Sequence, residues 1–241
     1  MSKPFLSIII PVHNEAKRLN PSLEKINSFL QQQDYESEVL VVENGSTDDT
    51  LEIARSQMKT MPDLRVLTIS ERGKGLAVKT GMLEARGQYR FMCDADLSMP
   101  IEQINQFLPP ELDQVDVAIG SREAAGAHRY DEPLIRHIIG RVFNTIVRWI
   151  ILPNIQDTQC GFKCFSEKTA QDVFPLQTLN GMSFDAEVLF IAHQKGLMIQ
   201  EIPIDWYFNS DSRVRLVKDS LRMFLDLLTI RRQSRRGFYE S

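Results

Sequence analysis

Two aspartates one residue apart end an apolar run at FMCDADLSMP, residues 91 to 100. Alternate side chains of an extended segment share a face, so Asp94 and Asp96 are expected to project the same way. Carboxylates that converge repel unless a cation lies between them or one takes up a proton. Hard divalent cations accept such oxygen ligands and complete their shells with substrate phosphates and water. The pair therefore proposes a metal site facing a diphosphate. It competes with a simpler reading, in which short acidic side chains bond the local backbone where a strand gives way to a loop.

Three other stretches carry polar groups in similar settings. Glu15 in PVHNE is placed to accept hydrogen bonds from a ribose, or to sit as an acid in the first turn of a helix. VENGSTDDT offers Asn44, with both a donor and an acceptor for a base edge, beside a glycine that allows close approach; the same residues make a good turn and helix cap. ERGKG sets Arg72 and Lys74 between glycines, as a phosphate contact near a helix start or as a solvated turn, and lacks the Gly-Lys-Ser/Thr ending of a P-loop.

The elements that must position these residues alternate in type. FLSIII, EVLVVE, LRVLTI and YRFMCD read as strands; the segments beginning at EAKRL, STDDT and GLAVK read as helices. Continuous apolar strands joined by helices predict an α/β fold with a mainly parallel central sheet and helices on both faces. Ligands bind such sheets at the carboxyl ends of the strands, where all four polar stretches fall. Further on, VDVAIGSR reads as a strand, residues 133 to 152 as a long helix and DTQCGFKCFS as strand or turn. A helix around SFDAEVLFIAHQKG, a strand around LMIQEIPIDW and a last helix from about Val214 to Arg232 complete the chain. One domain over residues 1–241 is expected, with a nucleotide-binding half to residue 100, an acceptor half to residue 232 and a basic tail beyond.

Composition narrows the classes. The 28 Lys and Arg nearly balance the 32 Asp and Glu, which argues against a general nucleic-acid surface. Cys93, Cys160 and Cys164 are odd in number and without CxxC spacing, so neither a disulfide framework nor a zinc site is expected, and a cytoplasmic setting fits. Neither a signal peptide nor a membrane-spanning stretch is read in the sequence.

PVHNE, VENGSTDDT, RGKGLAVKTGMLEARG, DADLS, DTQCGFKCFS, SFDAEVLF and IPIDWYF follow the order and spacing of the family 2, GT-A-fold glycosyltransferases. Within that family the chain most resembles the dolichyl-phosphate (polyprenyl-phosphate) glucosyl- and mannosyltransferases. The resemblance implies an inverting, metal-dependent transfer of a hexose from a UDP- or GDP-sugar to a polyprenyl phosphate. It places Pro11, Glu15, Asn44 and Asp94 around the nucleotide, Lys74 near it, and Asp96, with Asp94, on Mg2+ or Mn2+. Arg122 and Arg136 would hold the acceptor phosphate, and Asp157, Gln159, Asp185 and Glu187 would lie near donor sugar and acceptor. If the acceptor is a hydroxyl, Asp157 or Asp185 is a candidate general base. The departures are Glu43-Asn44-Gly45-Ser46 for the common Asp-Asp-Gly-Ser, Ser98 for the Gln of many mannosyl members, and Gly140 for a frequent serine. Two rival readings keep the donor half only: transfer to a soluble or glycan hydroxyl, and a sugar-nucleotide-binding protein without catalysis.

In PLIRHIIGRVFNTIVRWIILP, apolar residues from Ile135 to Ile150 fall on one helical stripe, with Arg136, His137, Arg141, Asn144, Thr145 and Arg148 opposite. Such a helix buries its stripe in a core or lies in a membrane interface. The resemblance favours the interface, and with it peripheral attachment at the cytoplasmic face. Arg231, Arg232, Arg235 and Arg236 near the end would meet anionic lipid or remain solvated.

Overall fold

A computed structural model describes residues 3–209 and 216–240, without the side chains of 216–221. Seven strands form the main sheet: β1 (Leu6–Val12), β2 (Ser37–Asn44), β3 (Leu64–Ile69), β4 (Tyr89–Cys93), β5 (Val117–Ser121), β7 (Phe162–Ser166) and β8 (Ile199–Pro203). Their order is β3-β2-β1-β4-β7-β5-β8, and β7 alone runs antiparallel to its neighbours β4 and β5. Two short strands, β6 (His128–Tyr130) and β9 (Asp205–Tyr207), pair in parallel outside that sheet. LMIQEIPIDW, read as one strand, is therefore two strands of different sheets.

Both faces of the sheet are covered because the strands alternate apolar residues on both sides. From β1, Leu6, Ile8, Ile10 and Val12 join one core layer with Leu19, Leu23 and Ile26 of α1 (Ala16–Leu30). Ile9 joins the opposite layer with Ala77 and Val78 of α3 (Lys74–Glu84) and most of α6 (Phe184–Gln194). Between α1 and α3 comes the shorter α2 (Thr50–Gln57), and α5 (Glu167–Val173) follows β7. Phe162 of β7 meets Phe91 and Phe107 edge-on, with centroids 4.5 and 5.4 Å away. Each such pair contributes about 0.5–1.5 kcal/mol beyond its buried area. These contacts seat β7, and so the DTQCGFK segment, against the end of β4.

The helix expected over 133 to 152 is α4 (Leu134–Ile150), and the last helix is α7 (Leu216–Ser234), packed against α4. Its expected start at Val214 lies outside the described residues. The stripe of α4 divides: Phe143 and Val147 enter the core, whereas Leu134, Ile135, Ile138 and Val142 stay exposed. The basic tail is also more than a tail, since Tyr239 is buried.

Candidate active site

Parallel register brings the strand ends together, with Val12 opposite Glu43 and Asn44 opposite Ile69. The loops beyond them are tied to one another: Asn14 N donates to Ser46 Oγ at 2.9 Å, Thr47 N to Asn14 Oδ1 at 2.7 Å and Glu15 N to Thr50 Oγ1 at 2.7 Å. Asn14 (φ 56°) and Gly45 (φ 72°) take the left-handed conformation these turns need. Pro11 is buried at the end of β1. The Asn44 amide donates to Val12 O at 3.0 Å and accepts from Gly73 N at 3.3 Å. It braces the first strand's end against the ERGKG turn and is already engaged by backbone where a base contact is expected.

β4 stops at Cys93, and Asp94 to Leu97 form a turn closed by Leu97 N donating to Asp94 O at 3.2 Å, with Leu97 at φ 46°. Strand alternation therefore does not orient the two aspartates. Each faces a cation instead: Asp94 Oδ1 lies 2.6 Å from Lys74 Nζ, and Asp96 Oδ2 3.7 Å from Arg18 Nη1. Asp96 Oδ1 accepts from Ser98 N at 3.0 Å, and Ser22 Oγ of α1 donates to Ala95 O at 2.7 Å, which fixes the turn. Arg18 also pairs with Glu15 at 2.6 Å. Burial works against the Lys74 ammonium, but the charges of Asp94 and Asp185, and more weakly Asp96, outweigh it and hold its pKa above the lysine norm.

Past β5, Arg122 grips the fully buried Asp157 with a two-pronged bond, Nε at 2.7 Å and Nη2 at 2.9 Å, and its backbone N adds a third at 3.0 Å. Burial alone would raise the Asp157 pKa; the Arg122 guanidinium outweighs it and holds the carboxyl well below the usual range. Glu201 of β8 accepts the backbone N–H groups of Gln156 and Asp157, at 2.8 and 3.0 Å. Arg122 is stacked 5.4 Å from the Trp206 centroid, with Arg129 5.9 Å from the same ring. Gln159, partly exposed, donates its backbone N–H to Asp157 Oδ1 at 3.2 Å.

Between these pairs stands Lys163, fully buried in β7, 2.5 Å from Asp185 Oδ1 and bonded to Cys160 O. Burial first, and then the Asp94 charge, raise the Asp185 pKa against the pull of Lys163 and Lys74. The site is thus a row of paired charges: Glu15–Arg18–Asp96, Lys74–Asp94, Lys163–Asp185 and Arg122–Asp157.

Comparison with known proteins places the chain in a family. A profile described as "Glycosyl transferase family 2" matches residues 7–174, more than half of the chain. The chain belongs to that family. Its dolichyl-phosphate beta-glucosyltransferase relative from Saccharomyces cerevisiae is 35% identical over 260 residues, covering 98% of this chain and 76% of the relative. The Homo sapiens enzyme of the same name is 31% identical over 245 residues, covering 94% and 74%. Glucosyl-3-phosphoglycerate synthase from Mycobacterium tuberculosis, solved with Mn2+ and UDP-glucose, shares the fold at a TM-score of 0.63, with 19% identity and coverage of 97% and 79%.

Not every residue singled out for this glycosyltransferase reaches the row. Glu187 is fully buried and accepts from Thr178 N, Thr178 Oγ1, Leu179 N and Tyr239 Oη. At about 100° per residue along α6, it points away from Asp185. Arg136 lies on α4 with its guanidinium 5.1 Å from the Phe208 ring centroid. Arg18 and Lys163 were not picked out by sequence: the first reads as a solvated helix residue, and the second had one visible signal, a lysine inside an apolar strand. Among the described residues no group of three His, Cys, Asp or Glu side chains could hold a metal by itself. Carboxylates are the hard oxygen donors that Mg2+ and Mn2+ take together with diphosphate and water; here Asp94 faces Lys74 and Asp96 faces Arg18. The three thiols are buried and raised in pKa, which removes them as nucleophiles.

Proposed function

We propose that this glycosyltransferase moves glucose from UDP-glucose to a polyprenyl phosphate of the dolichyl type, inverting the anomeric centre, at the cytoplasmic face of a membrane. The observation that carries this reading is that Asp157 is paired with Arg122 and Asp185 with Lys163. A hydroxyl acceptor needs a base poised to take its proton. Asp157 is locked in a two-pronged bond that holds its pKa far below that task; burial raises the Asp185 pKa, but that carboxylate is fully buried with Oδ1 held by Lys163 Nζ at 2.5 Å. A phosphate monoester, with a second pKa near 6 as in phosphorylated side chains, is largely dianionic at neutral pH and needs no base. It needs cations, and Arg122 and Arg136 are assigned that role.

An acceptor oxygen attacks C1 of glucose from the face opposite the diphosphate; the new C–O bond forms as the bond to UDP breaks and its electron pair leaves with UDP. Lys74, first residue of α3, meets the leaving diphosphate with a positive charge, while the N–H groups of Gly73 and Gly75 beside it are held by Asn44 and Asn180. Mg2+ or Mn2+ held by Asp94 and Asp96 would offset the negative charge that grows on that leaving group. The names of the yeast and human relatives support the acceptor and the sugar.

Lipid contact is assigned to α4. Leu134, Ile135, Ile138, Val142 and Trp149 are exposed, Trp149 at 85%, beside the exposed Arg141 and Arg148. A shallow groove of about 390 Å³ runs among Ile138, Arg141, Val142, Thr145, Ile146 and Trp149. Apolar and basic groups on one helix suit an anionic interface. No helix among the described residues is long and apolar enough to cross a membrane.

The test is transfer from labelled UDP-glucose or GDP-mannose to polyprenyl phosphate in liposomes. Expected is a glucolipid, lost on metal chelation and in Asp96→Asn; Arg122→Ala, read beside its Tm because it strands the buried Asp157, should raise the KM for lipid phosphate about tenfold and that for UDP-glucose little. Transfer to a glycan hydroxyl but not to the lipid, or donor binding without transfer, would refute it.

A further inference from the structure

The last described residues fold back on α6. After α7 the chain turns at Gly237 (φ 71°), leaving Phe238 48% exposed while Tyr239 is 2% exposed, its ring edge-on to Phe190 at 5.9 Å. Tyr239 Oη lies 2.9 Å from Glu187 Oε1 and 2.5 Å from Gln233 Oε1. Among the described residues Glu187 has no salt-bridge partner; this buried carboxylate is met by neutral donors: Thr178 N at 3.0 Å, Thr178 Oγ1 at 2.6 Å, Leu179 N at 2.8 Å and the phenol. Burial and the Glu187 charge raise the phenol's pKa, so it remains a donor.

What Glu187 holds is the wall of the donor site. Asn180 O accepts from Gly75 N at 2.9 Å, and Gln177 Nε2 donates to Gly75 O at 2.9 Å. A Cβ at Gly73 would stand 2.4 Å from Asn180 O and one at Gly75 2.6 Å from Leu179 O, so the Gly-Lys-Gly turn rests directly on segment 177–180. From that turn Lys74 reaches Asp94. α7 fastens the chain just beyond this segment, Asp226 accepting from Ser183 Oγ at 2.6 Å.

We infer that Tyr239 is a positioning residue for donor binding: the C-terminal turn clamps Glu187, Glu187 fixes segment 177–180, and that segment sets Lys74 against the diphosphate. The inference rests on the donor-site reading of Lys74 given above. It assigns residues 237–239 a part in the reaction that the basic composition around them does not announce.

Tyr239→Phe tests it, because the ring keeps its packing against Phe190 and only the hydroxyl is lost. Expected is a rise in the KM and calorimetric Kd for UDP-glucose of roughly 2- to 30-fold, the range for residues that act on a site without touching its ligand, with the KM for polyprenyl phosphate unchanged. Thr178→Val, which removes a second donor from Glu187, should shift the same constant. Equal changes in both KM values with a lowered Tm would mean a merely structural role and overturn the inference, as would unchanged donor constants in both variants. Lys74→Ala separates the two levels. Weakened donor binding there but not in Tyr239→Phe sinks the clamp alone, whereas normal donor binding in Lys74→Ala removes the donor reading and the clamp with it.

Discussion

Replacing Gly161 by alanine would set a methyl carbon 2.0 Å from Oδ2 and 2.5 Å from Cγ of Asp94. Gly161 lies outside the left-handed region, so alanine meets no left-handed backbone strain, and the three atoms nearest the new carbon all belong to that carboxylate. Both Cγ and an oxygen are too close, so rotation of the carboxylate about its own axis gives no relief. The side chain must leave for another staggered well, away from Lys74 Nζ at 2.6 Å. A hydrogen bond between charged groups contributes about 1.5–3 kcal/mol. If donor binding and departure of the diphosphate use the observed Asp94–Lys74 arrangement, kcat/KM for UDP-glucose falls roughly 10- to 150-fold, at 1.36 kcal/mol per decade. The assay is steady-state transfer with varied UDP-glucose, beside thermal unfolding to show that the fold persists. Gly140→Ala is the control: its new methyl meets nothing within 4 Å, and alanine in place of a helical glycine should stabilise α4 by up to about 1 kcal/mol. A Gly161→Ala enzyme with wild-type kcat/KM would refute the placement of Asp94 in the working site.

Three further outcomes follow from the paired charges and from α4. Lys163→Met should cost about 3–5 kcal/mol in urea unfolding, since it strands Asp185 in the core, and Lys163→Met with Asp185→Leu should regain most of it; equal losses in single and double variants would deny the pairing. Asp157 has a depressed folded pKa, so its contribution to stability is full above the unfolded value near 3.9 and is lost as pH falls below it toward the folded value. The stability gap between wild type and Asp157→Asn should therefore be constant from pH 5 to 8 and narrow below about pH 4; a gap that closes near neutrality contradicts the Arg122 pairing. Ile138→Glu with Val142→Glu should abolish flotation with anionic liposomes while leaving UDP binding intact, and undiminished flotation would remove α4 from the lipid contact.

The sheet, the loops at its carboxyl edge and most residues of the charged row were legible because each depends on local pattern: apolar strands, capped helices, polar residues where strands stop. What escaped depends on partners far away in the chain. Alternation from FMCD through Asp96 assumes that the strand continues, but the turn at Leu97 ends it and aims each aspartate at its own cation. Arg18 looks like any solvated helix residue until α1 is laid beside the DADLS turn. Lys163 within FKCFS announces a buried cation, yet nothing local says that its carboxylate is Asp185. Glu187, two residues on, appears in sequence as part of the same cluster, and only the helical turn carries it to the opposite side, toward Tyr239.

The antiparallel β7 has a consequence for how this enzyme can be taken apart. Its strand inserts between β4, which carries Asp94, and β5, which leads to Arg122, so residues from 157 to 163 complete a surface begun by the first hundred. Gly161 makes room for a side chain 67 positions earlier, and Phe162 closes against Phe91. Halves divided near residue 100 are thus not interchangeable modules. A chimera that joins residues 1–100 to the remainder of a relative must import a β7 whose preceding small residue, buried lysine and phenylalanine match the host's β4, or, on the function proposed above, it loses the sugar nucleotide together with the acceptor.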